Sequence, residues 1–133
     1  MSEQQVMPGP KAVTLLKEIA NWEWVTTIIL HGGSVFEFKG PFPEGSLGEG
    51  FYNIEGDMPG FHGHININQI AHIRFQDKAH RGRESYAFVF ETAVDEAVFK
   101  VFLGRDKQGE LITSQVTRFK QLQAEYTGQK EDE

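Results

Sequence analysis

His62 and His64 stand two residues apart in the segment Gly60–Asn68, GFHGHININ, and this spacing is the strongest chemical signal in the chain. Apolar and polar residues alternate with period two, as in a half-buried strand. Phe61, Gly63, Ile65 and Ile67 fall on one face; His62, His64, Asn66 and Asn68 fall on the other. Two imidazoles on one face of a strand lie roughly 6–7 Å apart. Neutral imidazole ligates transition metals and haem iron, so the pair is a candidate metal- or haem-ligating element. A solvated polar face is the plain alternative.

Other chemistry is thinly represented. Gly56-x5-His62-x-His64 matches the opening half of a cupin-type metal signature, which would suit a metal-dependent enzyme. The Glu expected three or four residues later is absent; Asn68 and Gln69 stand there. Gly45-x-x-Gly48-x-Gly50 opens no helix and reads as a long Gly/Pro loop over residues 40–50, not a phosphate cradle. No Ser/His/Asp or Cys/His set and no acid/base carboxylate pair can be read, so no catalytic residue is assigned.

The elements that must position the histidines follow from periodicity. Pro10 suits a first helical turn, and Ala12, Leu15, Leu16 and Ile19 follow at helical spacing. Residues 22–31 read as a strand, and Gly32-Gly33 as a hairpin turn that pairs Leu30 with Val35, Ile29 with Phe36 and Thr27 with Phe38. Val25, Thr27, Ile29, His31, Phe36 and Phe38 then share the expected core face, with His31 at its rim. Residues 51–55, the two-His strand, 70–76, 85–91 and 96–103 supply further strands. A turn at Ile67–Gln69 would pair the two-His strand with the next, placing His64 opposite His72 and His62 opposite Arg74 on one surface. Lys100 sits between Val98 and Phe102 on a mostly apolar strand face. Asp106 is read as an N-cap, and Ile112, Val116, Phe119, Leu122 and Tyr126 define an amphipathic C-terminal helix. The expected class is α+β: one large antiparallel sheet of about seven strands, a short N-terminal helix and a long C-terminal one.

Composition bounds the function. The 133 residues suit one domain, with residues 1–10 a mobile lead-in and 129–133 a mobile tail. Eleven Phe, three Tyr and two Trp supply a core or the walls of a flat ligand site. A net charge of -6 argues against non-specific nucleic-acid binding. The absence of Cys removes disulfides, thiolate ligation and covalent haem attachment. No apolar run spans a bilayer and the N-terminus is not a signal peptide, so membrane insertion is not expected and a cytoplasmic location is.

Taken together, WEWVTTIILHGGSVFEFKGPFPEG, GFYNIEGDMPGFHGHI, VFKVFLGRDKQGEL and QVTRFKQL, in this order from Asn21 to Leu122, resemble the HuvX/ChuX/HutX family of intracellular haem-utilisation carriers. That family is related to the halves of the HemS/ChuS proteins. The resemblance implies a large antiparallel sheet, a homodimer, and non-covalent haem binding with transfer to or from a haem-degrading or haem-transport partner. His64 falls on the family's glycine-histidine pair, a proposed axial ligand, and His62 matches members that read HGH. Some members carry a His near the first hairpin; Leu30 stands at that position here and His31 one residue on. Lys100 and Arg105 fall in the K-x-x-L-G-R-D stretch. Where members carry Phe-Met-Gly, this chain reads AHRGRES. Arg74, Arg81, Arg83, Lys100 and Arg105 are candidate propionate partners, and Tyr86 is a fallback ligand. A member of the same fold that has lost haem binding and acts as an interaction module is the further alternative.

Overall fold

In the computed structural model, residues 6–56, 60–79 and 82–127 are described. Nine strands and two helices follow in the order β1 (Val6–Pro8), α1 (Ala12–Ile19), β2 (Val25–His31), β3 (Ser34–Gly40), β4 (Gly45–Gly48), β5 (Phe51–Ile54), β6 (Gly63–Ile65), β7 (His72–Asp77), β8 (Tyr86–Glu91), β9 (Ala97–Leu103) and α2 (Thr113–Thr127). The class is α+β as expected, but the strands divide between two sheets. Six form an antiparallel sheet in the order β1-β7-β8-β9-β2-β3, and three form a second sheet, β4-β5-β6.

Alternation on the large sheet makes its two faces chemically unlike. One face presents Met7, Ile73, Phe75, Phe88, Phe90, Val101, Leu103 and Val25, all buried. The helices close part of this face: Phe119 of α2 meets Phe75, Tyr86 and Phe88 with ring centroids 5.0–5.5 Å apart. Arg118 of α2 donates to both carboxylate oxygens of Glu18 on α1, at 2.6 and 3.3 Å, and so fixes the helices to one another. The second sheet closes the rest through Phe42, Ile54 and Phe61, with Phe61 stacked on Phe38 at 4.4 Å. The opposite face carries Thr26, Ile28, Gln76, Lys100 and Phe102, and among the described residues no helix covers it.

The β2–β3 hairpin has the expected register, and Gly32 and Gly33 take the positive φ that its tight turn requires. Its face is only half core. Val25 and Thr27 are buried, whereas Phe36 is 54% and Phe38 36% exposed, because the second sheet does not reach the outer part of β3.

Four other expectations are corrected. The two-His strand does not pair with β7. Asn53↔His64 and Tyr52↔Ile65 tie β6 to β5, while β7 pairs with β8 and β1. Ile67–Gln69 forms a 3-10 turn that carries the chain from one sheet to the other. Patterning fixes which face of a strand is buried but not which strand lies beside it. Residues 45–48 of the expected loop form strand β4. Val6–Pro8 pair with β7, and Met7 is buried, so residues 6–10 are no lead-in. Asp106 caps no helix: its carboxylate accepts from the backbone N–H groups of Gln108 and Glu110 in a tight loop, and α2 begins at Thr113. The tail at 129–133 lies outside the described residues.

One buried amide joins the last strand to the last helix. Gln115 accepts a hydrogen bond from the Gly104 N–H at 2.7 Å and donates to the Trp24 carbonyl at 2.8 Å. Gly104 itself has no room for a side chain, since a Cβ there would fall on the Trp24 carbonyl.

Candidate functional site

A cleft of about 270 Å³ opens where the two sheets meet. Thr27, Ile29 and Phe99 form its wall on the large sheet; Phe42, Ile54, Phe61, Gly63 and Ile65 form the other wall; His62, His64, Asn66 and Gln69 line its edge. The lining is mostly apolar. The exposed rings of Phe36, Phe38 and Phe51 extend apolar surface beyond it, and Phe51 meets His64 edge-on at 6.2 Å. A small apolar cleft with a few convergent polar groups is the usual form of a small-molecule site.

The neighbouring strand sets the tautomer of His64. Asn53 Nδ2 donates to the Gly48 carbonyl at 3.1 Å and to the Ser46 carbonyl at 3.4 Å, so the amide nitrogen faces β4. Asn53 Oδ1 therefore faces His64 and accepts from Nδ1–H at 2.7 Å. The proton on Nδ1 leaves the Nε2 lone pair free. A ligating His is held in this way, with its second nitrogen donating to an outer partner. The open donor atom is thus Nε2 of an oriented, exposed imidazole. His62 lies on the same edge, exposed, with no such partner among the described residues.

The other expected site residues lie elsewhere. His31 stands at the tip of the β2–β3 hairpin, two residues beyond Ile29 and outside the cleft lining. Arg74 lies on the opposite face and donates from Nε to Glu91 at 3.1 Å. Lys100, Arg83 and Arg105 line a separate cavity of about 740 Å³ on that opposite face, together with Lys39 and Lys78. Among the described residues, Glu37 is the one carboxylate lining it. Its apolar part includes Trp24, Ile28, Phe102 and Leu111. Arg81 lies outside the described residues. No Lys or Arg among the described residues lines the His64 cleft. One flat ligand held by His64 therefore cannot also reach Lys100, because the large sheet lies between them.

Two titrations bear on these assignments. Burial pushes the Tyr86 hydroxyl above its ordinary value, and its hydrogen bond to Glu84 at 3.0 Å adds to the effect. Tyrosine ligates iron as phenolate, so Tyr86, packed on Phe119, is poorly suited to that role. Desolvation pulls the Lys100 ammonium below its ordinary value, and Arg74 and Lys78 add to the shift. Its hydrogen-bond partner is neutral, Gln76 Oε1 at 3.4 Å. Among the described residues, the second cavity sets Lys39, Lys78, Arg83, Lys100 and Arg105 against one carboxylate, Glu37, so its lining is cationic.

The cupin-type alternative does not survive the fold. Two sheets of six and three strands with helices on one side are not a jelly roll, and among the described residues no carboxylate joins His62 and His64 in the cleft lining.

Fold and site define a one-sided antiparallel sheet protein with an oriented imidazole at the edge of an apolar cleft between two sheets. Residues 5–122 match the family described as Haem utilisation ChuX/HutX, and the chain belongs to that family. It is 44% identical over 121 residues to the intracellular heme transport protein HutX of Vibrio cholerae, covering 91% of this chain and 63% of that one. The chain thus spans less than two thirds of that relative's length. The solved structure of the heme binding protein ChuX superposes with a TM-score of 0.82 at 30% identity, covering 92% of this chain and 77% of that one. The E. coli heme oxygenase ChuS shares the fold, with a TM-score of 0.70 at 15% identity over 91% of this chain and 36% of its own. Among the described residues, no helix is long and apolar enough to cross a membrane.

Proposed function

We propose that this protein binds haem non-covalently and passes it on intact. The observation that carries this reading is His64: an imidazole whose tautomer Asn53 fixes, with Nε2 open beside an apolar cleft. His64 would hold the iron. Phe61, Ile29, Ile65 and Phe99 would cover one edge of the macrocycle, and Phe36, Phe38 and Phe51 would extend that contact. Haem brought there is cargo. The cleft lies near the lower end of ligand-pocket volumes, roughly 300 Å³, and is open on one side, which suits a site that must release what it holds. The relatives named for haem transport and haem binding support the same reading. Loaded with hemin and mixed with apomyoglobin, the protein should give up its haem with no bile-pigment product. Retention of haem on the carrier, or its degradation in the presence of a reductant, would contradict the proposal.

A second haem-binding mode is favoured by the cationic cavity. It is larger than the His64 cleft, and its ammonium and guanidinium groups, which outnumber its one described carboxylate, suit the propionates. In that mode haem lies on the open sheet face without a histidine ligand, and Lys100, Arg83 and Arg105 dominate its affinity.

We also propose a symmetric homodimer and a cytoplasmic location. β3 is an edge strand of the large sheet, and Ser34–Lys39 are exposed along its length, with Val35 and Phe36 more than half exposed. An open apolar edge of this kind invites pairing. Light scattering should report about 30 kDa, twice the 15.1 kDa chain. Replacing Val35 and Phe36 by Lys should yield the monomer. A parent protein of about 15 kDa in dilute solution would contradict the dimer.

A further inference from the structure

His72, Glu91 and Asp95 converge at one end of the open sheet face, on the far side of the sheet from the His64 cleft. His72 and Glu91 are paired across β7 and β8. Asp95 comes from the turn between β8 and β9, which Thr92 braces: its Oγ1 accepts from the N–H groups of Val94 and Glu96. His72 Nε2 lies 2.9 Å from Glu91 Oε1 and 3.2 Å from Asp95 Oδ1, and all three donor atoms lie within 4.8 Å of one another.

We propose that His72, Glu91 and Asp95 form a binding site for a divalent first-row transition-metal ion. A metal about 2.0–2.2 Å from each donor places neighbouring donors about 3 Å apart in a right-angled arrangement and about 3.4 Å apart in a tetrahedral one. The measured separations from Nε2, 2.9 and 3.2 Å, are close to the right-angled value, so the ion takes the place of the proton that Nε2 shares with the carboxylates, that proton leaves to water, and the side chains adjust little. One imidazole nitrogen and two carboxylate oxygens suit zinc, manganese or ferrous iron better than calcium or magnesium, which favour all-oxygen sites.

Charge and outer contacts agree. Glu91 is 5% exposed, an unusual place for a carboxylate. Arg74 Nε occupies its Oε2 at 3.1 Å and leaves Oε1 directed at His72. Ligating carboxylates are commonly held by such an outer partner. Two carboxylate groups face the imidazole, and Arg74 is engaged on the outer oxygen of Glu91. Asp95 is largely exposed, so the ion has a path in and water fills the remaining positions.

The test uses the full chain carrying His62→Ala and His64→Ala, so that the cleft imidazoles cannot take up metal. Zn²⁺ titrated calorimetrically should bind with one equivalent per chain. His72→Ala and Asp95→Asn should each weaken binding about tenfold or more, and Asp95 is exposed enough that its variant keeps the fold. Mn²⁺ should broaden amide resonances around Ile73 and from Glu91 to Glu96. No one-equivalent uptake, or uptake that neither substitution weakens, would overturn the site and leave His72 as a plain partner of two carboxylates. Hemin binding by the parent protein is read separately, so failure here does not touch the haem proposal.

Discussion

His64→Ala should lower hemin affinity about tenfold or more, a loss of roughly 1.4 kcal/mol per factor of ten, and should move the Soret maximum. The ring is exposed, so its removal opens no core cavity, and the circular dichroism should be unchanged. Asn53→Ala should weaken binding in the same direction, because an outer partner that fixes the ligating tautomer is commonly worth about 10–100-fold. A Lys100→Met/Arg105→Met double variant should leave the Soret position unchanged and cost little affinity. The reverse pattern, with the double variant crippled and His64→Ala spectrally normal, would place haem on the open sheet face instead.

Gln115→Ala should produce the largest loss of stability from any single polar side chain among the described residues. Its amide satisfies the buried Gly104 N–H and the Trp24 carbonyl together, and a buried group left unpaired costs about 1–3 kcal/mol. With both stranded the loss is on the order of 2–6 kcal/mol, or roughly 6 °C or more in Tm. Gln115→Met, which keeps the volume but not the hydrogen bonds, should do little better. Gln121→Ala, on the exposed side of the same helix, should stay within about 0.5 kcal/mol. A Gln115→Ala protein that melts with the parent would show that water or relaxation satisfies both groups.

Much of the fold can be read from local pattern. The β2–β3 register follows from Gly32-Gly33, and the buried stripe of α2 follows from the spacing of Phe119 and Leu122. His64 stands out through alternation alone. What local pattern does not carry is partnership between strands. β6 and β7 are adjacent in sequence and compatible in register, yet a 3-10 turn sends them to different sheets. His64 thereby gains Asn53 and His72 gains Glu91, and neither partner is marked by spacing. Asn53 lies eleven residues before His64 in a four-residue strand, and its role depends on the β4–β5 pairing hidden within a Gly/Pro stretch. The same limit explains the cations. Lys100 and Arg105 lie among the family-like residues, but which side of the sheet they face relative to His64 depends on the second sheet's position.

If the chain offers haem one specific, saturable place, titration of the purified parent with hemin, followed at the Soret band, will show it. The band should be sharp and saturate near one haem per chain, with the position of a histidine-ligated ferric iron. A broad absorbance that grows linearly past several equivalents, as free hemin gives, would contradict it and leave the fold as an interaction module that does not carry haem.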